Sequence, residues 1–357
     1  MKVTENEKRY ENPHRNISFD IIRFLAIFFV MYNHRETYSF FSHLPYMSVG
    51  YILTLCATAL CKCGPPLFFM VSGALILHKK ESFSRILKHR VLRIVTVMLV
   101  LCMLTKVMYP NAGNPIQIFM TGLNWYLYSY VGYLMMLPFM RLLVEHMSID
   151  DMKLFVILSA ILYAAGGILI PFSNYTENFT GFFRIYNASW ASDCWNFVFP
   201  ILGYIFVQFA EREDIGISRK KIFYLLSLST IVSMAICMQL MNYDINVNSG
   251  QNLEMIRQHA ILLPSCFLFF ALYCIFSKKQ VTEKKGKILT EMSASVFGIF
   301  LIETHTVYSL KIYEAVAVLI PNAGLYLCSI VSIMAQVVLY GLVIFVLRRI
   351  PIVRKVL

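Results

Sequence analysis

Residues 17–36 read ISFDIIRFLAIFFVMYNHRE, and the reading of the whole chain follows from that stretch. It is the first apolar segment of membrane length, since a bilayer core takes about 20 residues of helix. A plain anchor would carry no charge. This one carries Asp20 and Arg23 near its start and His34 at its far end. Eleven positions separate Arg23 from His34. That is close to three helical turns, so both side chains fall on one face, about 16 Å apart along the axis. Ionisable groups at membrane depth are costly, and they face a bundle interior or a wet cavity. The helix therefore offers a cation toward one leaflet and a titratable imidazole toward the other. Asp20, three residues before Arg23, can pair with it and lower the cost of its charge.

The composition agrees. Of 357 residues, 58% are hydrophobic and 15% charged, where soluble domains carry about 25% charged residues. Apolar runs recur along the whole length, so the expected fold is all-α, a polytopic membrane helical bundle. Ten crossings are expected, at 17–36, 49–77, 91–109, 123–144, 152–171, 194–210, 222–241, 260–277, 293–311 and 324–347. Counted over the tails and alternate loops, 25 Lys and Arg fall on one side and 5 on the other. That asymmetry predicts cytoplasmic termini and places His34 near the outer leaflet of a cell membrane. The organisation read from it is a tail at 1–16, a transmembrane domain at 17–347 and a tail at 348–357. No cleavable signal peptide is expected, because charged residues precede an apolar segment too long for one. The net charge of +12 does not point to nucleic acid, since its cations alternate between loops. Most of the nine Cys lie in apolar runs and read as small buried residues. Cys61-Lys62-Cys63 has no metal-ligand spacing, and no metal is expected.

Three further stretches carry chemistry. In the second apolar run, KCGPP at 62–66 interrupts the helix. An interfacial or re-entrant piece is expected at 47–61, with the true span beginning at Pro65. Ser72 and Gly73 in that span suit either close helix packing or a direct role. In KHRVLR at 88–93, Arg90 and Arg93 stand one turn apart on the same side of a helix. Two guanidiniums so placed suit phosphate oxygens, although positive-inside anchoring also accounts for them. In LIETH at 301–305, Glu303 and His305 are two apart and point in different directions, so either could face a cavity. Trp125 and Tyr126 begin a span at the outer interface, where aromatic belts are common. The connection 172–195 is rich in aromatics suited to anchoring or to stacking on sugar rings, and it holds three glycosylation sequons.

Asp-x-x-Arg followed by Arg-x10-His at 20–34 resembles the opening helix of the acyltransferase-3 family of integral membrane O-acyltransferases. FFMVSG at 68–73, Arg90-x-x-Arg93, LNWYL at 123–127 with Pro138 and Arg141, and LIETH at 301–305 resemble its later blocks. One departure stands out, Asn124 where many members carry His before the Trp. The resemblance covers nearly the whole chain. It implies transfer of an acyl group, most simply acetyl, from cytoplasmic acyl-CoA to a hydroxyl of an extracytoplasmic or lipid-linked glycan.

Histidine suits the task of activating a hydroxyl, so His34 is the expected general base; an acyl-histidine intermediate is the alternative. Arg90 and Arg93 are expected to hold phosphates of the acyl-CoA co-substrate. Arg23 would line the path of its arm or polarise the thioester carbonyl. Trp125, Tyr126, Glu303 and His305 are supporting candidates. The competing reading is a transporter or exporter of a glycan or acylated intermediate, which ten helices and intramembrane charges also fit. Against it, the Pro-Pro of the second span has no counterpart five helices later, so no inverted repeat is visible.

Overall fold

The computed structural model describes residues 16–34, 44–121, 124–169, 197–250, 252–253, 256–257, 260–279, 281–305, 308–320 and 325–356. Among these the secondary structure is helical, with no strand. In chain order the helices are α1 (Ser18–Asn33), α2 (Val49–Cys61), α3 (Gly64–Ile76), α4 (Phe83–Met108), α5 (Pro115–Thr121), α6 (Trp125–His146) and α7 (Ile149–Leu169). Then follow α8 (Val198–Glu211), α9 (Arg219–Asn248), α10 (Leu262–Phe276), α11 (Glu283–His305), α12 (Tyr308–Leu319), α13 (Leu325–Leu347) and α14 (Pro351–Val356).

A helix lies over each of the ten stretches expected to be apolar spans. By length and hydropathy, five segments among the described residues qualify to cross a membrane: Val49–Ile76, Phe83–Met108, Trp125–His146, Arg219–Asn248 and Leu327–Leu347. Within the bundle α1, α8, α10 and the α3 half of Val49–Ile76 are each short, for a reason visible in the packing. The centre of the molecule is α3, wrapped by α1, α8 and α10. These four have 16, 13, 14 and 15 residues in the order α1, α3, α8, α10. A 13-residue helix is about 20 Å long, less than the roughly 30 Å of a bilayer core. Ten of the 13 residues of α3 and 11 of the 14 of α8 are buried. They are apolar all round because protein surrounds them, as expected of an interior helix. The long helices lie outside. Only 17% of the apolar window of α9 and 28% of that of α4 is buried.

The tightest contact is between α3 and α8, and glycine makes it possible. A Cβ on Gly73 would stand 1.9 Å from the Pro200 carbonyl oxygen. A Cβ on Gly203 would stand 2.1 Å from the Met70 carbonyl oxygen. Each helix presses its backbone into the other's missing side chain, the small-residue packing that membrane helices use. Gly73 therefore has the packing role that the sequence offered.

The interruption of the second apolar run is present. α2 ends at Cys61, and the Lys62 and Cys63 N–H groups bond back three residues to Ala59 and Leu60, at 3.2 and 3.0 Å. α3 then starts with Pro65 and Pro66 in its first turn, where the missing N–H groups cost nothing. α2 packs on α9 in a small satellite core of Tyr51, Leu55, Cys237 and Met241.

Candidate functional site

α1 buries Phe19, Ile22, Ala26 and Ile27 and keeps Arg23, Val30 and His34 on another face. That face looks into a cavity of about 830 Å³ walled by α1, α3, α4, α6 and α11, with Arg348 and Arg354 at its C-terminal edge. Arg23, His34, Arg90, Arg93, Trp125 and Tyr126 all line it. The sequence-predicted residues thus come together around one space, from three helices.

Arg23 has two neighbours. Its Nη1 lies 3.6 Å from the Asp20 carboxylate, which is buried, and donates to Ser293 Oγ at 3.2 Å. Asp20 therefore serves as the local counter-charge anticipated for it. Eleven residues later, His34 Nδ1 lies 3.9 Å from Glu303 Oε1. Ser293 and Glu303 are ten residues apart on α11, so α1 and α11 run side by side in the same direction. Glu303 thus reaches the end of the cavity that His34 occupies. His305 is the last residue of α11, and its side chain lies outside the described residues. The aromatic connection 172–195 and its sequons also lie outside them.

Arg90 and Arg93 do not behave as an equivalent pair. The helix passes through a π turn at Leu87–Val91, an irregularity often found at functional sites. Arg90 makes a bidentate contact with Glu81, Nη2 to Oε1 at 2.8 Å and Nε to Oε2 at 3.2 Å. Arg141 on α6 donates to the same carboxylate at 3.0 Å and to the Ile76 carbonyl at the end of α3 at 3.1 Å. A cation on the last carbonyls of a helix is favourable. One carboxylate therefore ties α4 to α6, and Arg141 ties both to α3. Arg93 lies beyond that network, close enough to Arg348 to feel its like charge.

The Arg90 guanidinium, and after it Arg141, hold the Glu81 carboxyl down at about 2, against burial that pushes the other way. A carboxyl depressed in the folded state contributes stability above its unfolded value near 4.5 and loses it as pH falls through about 2. The expected result is that Glu81→Gln lowers the stability of the detergent-solubilised protein at neutral pH, on the order of 2 kcal/mol. The difference between wild type and variant should shrink as pH is taken from 4.5 toward 2. A thermal-unfolding series over that window, run on both proteins, checks it.

Tyr126 sits in an aromatic wall. Its ring lies 5.1 Å from Phe69, 5.5 Å edge-on from Phe300 and 5.9 Å stacked on Tyr130, whose hydroxyl lies 3.2 Å from Ser72 Oγ. Trp125 lines the cavity while remaining 39% exposed. Asn124, the departure noted in the sequence, caps α6: its Oδ1 accepts from the Tyr126 N–H at 2.9 Å. Asn is among the best residues for that position, so Asn124 sets where α6 begins and where its two aromatics point.

Sequence reasoning passed over Glu81 and underrated Arg141. The signal for Glu81 was present, since it is the one carboxylate in the basic run 78–93. Nothing local shows that Arg141, sixty residues on, shares it.

A family model described as an acyltransferase domain, of the acyltransferase-3 type, matches residues 16–346. No curated protein and no solved structure matches the chain.

Proposed function

The chain belongs to the acyltransferase-3 family, and from that membership we propose that it moves an acyl group, most simply acetyl, from cytoplasmic acyl-CoA to a hydroxyl on an extracytoplasmic or lipid-linked glycan. Family membership makes it a membrane acyltransferase. The donor, the acyl group and the acceptor are our reading. One observation carries it: a single cavity has cationic side chains at the Arg23 end and an imidazole at the other.

In this reading the donor enters from the cationic end, which the loop charges assign to the cytoplasm. Arg93 faces its phosphates, with Arg90 shared between them and Glu81. Arg23 lies about 16 Å along α1 from His34. A carbonyl attacked beside His34 is therefore out of reach of Arg23, which leaves Arg23 the donor's arm rather than the thioester. At the far end, His34 takes the proton of the acceptor hydroxyl. The oxygen attacks the thioester carbonyl, the C–S bond breaks, and the CoA thiolate leaves and is protonated. Glu303, facing Nδ1, orients the ring and turns Nε2 toward the substrate. Tyr126 and Trp125 form the wall on which the arm and acceptor rest.

The test is acyl transfer by the purified protein in vesicles, given acetyl-CoA and a panel of glycan acceptors, with free thiol and base-labile ester as paired readouts. Thiol release matched by ester is the expected result. Folded protein that gives neither with any acceptor sinks the reading.

A further inference from the structure

The charges around the cavity mouth do not cancel, and the way they fail to cancel is informative. Among the described residues Glu81 is the one carboxylate that lines it, and Arg90 and Arg141 already occupy Glu81. Arg23 has Asp20, and Arg348 has Glu291 at 3.0 Å. Lys79, Arg85 and Arg354 line the same mouth, exposed, and none has a carboxylate within ion-pair reach among the described residues.

These three come from separate places. Lys79 is in the connection after α3, Arg85 is in the first turn of α4, and Arg354 is on α14, which packs against α4. The positive-inside tendency puts cations in loops; it does not converge them on one opening from positions 79 and 354. Like charges brought together cost free energy, which an anion between them offsets.

We propose that Lys79, Arg85 and Arg354 form a phosphate subsite, separate from Arg90, that takes a terminal phosphomonoester of the nucleotide donor. This rests on the reading of the donor as acyl-CoA, whose nucleotide carries a 3′-phosphate beyond its pyrophosphate. A phosphomonoester carries a charge approaching −2 and three acceptor oxygens. Two guanidiniums and an ammonium more than offset that charge and supply the donors. Arg90 is shared with Glu81, so the open cations, rather than Arg90, set which nucleotide is accepted. The C-terminal helix becomes part of the donor site, and Arg354 becomes a specificity-determining residue.

The test needs no acceptor. The full-length protein in detergent is titrated with adenosine 3′,5′-bisphosphate and with AMP, and thermal stabilisation is read. Wild type should bind the bisphosphate at least about tenfold more tightly, as about 1.4 kcal/mol of added interaction gives. In Arg85→Gln/Arg354→Gln the two affinities should come within about twofold, because the bisphosphate loses far more affinity than AMP does. The single variant Arg354→Gln, on an exposed terminal helix, should lie between and guards against a folding defect. Equal affinities in wild type, or a preference that survives in the double variant, overturns the subsite. Stabilisation by phosphatidylglycerol, lost in the double variant and without nucleotide preference, would assign the cations to lipid headgroups and also overturn it. A bisphosphate preference without acyl transfer would keep the nucleotide site and sink the proposed reaction. Transfer with equal KM for acetyl-CoA and its 3′-dephospho form would do the reverse.

Discussion

Vesicles carrying His34→Ala should form acyl ester about 10²- to 10⁴-fold more slowly than wild type, the range that a positioned general base contributes. The expectation follows from the cavity. His34 is the titratable side chain at the C-terminal end of α1, and it faces a lined space rather than the core. Alanine removes the proton acceptor and leaves the donor cations and the aromatic wall intact. KM for the donor should therefore hold while kcat falls, the pattern of an interaction made in the transition state. A loss confined to KM would mean that His34 binds rather than activates. Ester formed equally by both proteins would remove His34 from the chemistry. The same preparation separates base catalysis from an acyl-histidine. Wild type given labelled acetyl-CoA without acceptor retains label on the protein in the second case only.

Gly73→Ala should prevent the bundle from closing. Its new methyl would sit 1.9 Å from the Pro200 oxygen, well inside the contact distance of about 3.5 Å for such atoms. The obstacle is helix backbone, which cannot rotate aside as a side chain does. α3 and α8 would have to separate by more than an ångström in the most densely packed part of the molecule, at a cost of about 3 kcal/mol or more. Gly203→Ala pushes on Met70 from the other side and should do the same. Gly286→Ala is the control, because its methyl would meet nothing nearer than Val281 at 3.8 Å. There alanine should be neutral or stabilise α11 by up to about 1 kcal/mol. Monodispersity and melting temperature in detergent, measured on all three variants, decide the matter. A well-behaved Gly73→Ala protein would mean that α3 and α8 do not pack this closely.

The sequence carried a good part of this because the costly groups are few. A charge or imidazole in an apolar run needs a reason, so Asp20, Arg23 and His34 marked the site-bearing helix directly, and Pro65 and Pro66 marked where the second run breaks. The layering was not legible. In a soluble protein the polar face of a helix shows which side is outside. In lipid the outside is as apolar as the core, so the buried α3 and the exposed α4 read alike as spans. Long-range partnerships were hidden for another reason. Glu81 meets Arg141, and His34 meets Glu303, only after the chain has folded back on itself. Glu303 and His305 could not be ranked by periodicity; the parallel course of α1 and α11 brings Glu303 to the imidazole.

The glycine contact also sets a timetable for synthesis. Gly73 and Gly203 are 130 positions apart. At about 5–20 residues per second, α8 leaves the ribosome roughly 7–26 s after α3. For that interval α3, which completes a membrane-length segment only together with α2, waits with its docking groove empty. Its retention therefore depends on α1, on α2 and on the insertion machinery until α8 arrives. A ribosome stalled between the two should leave a nascent chain that an insertase still holds and that protease can reach.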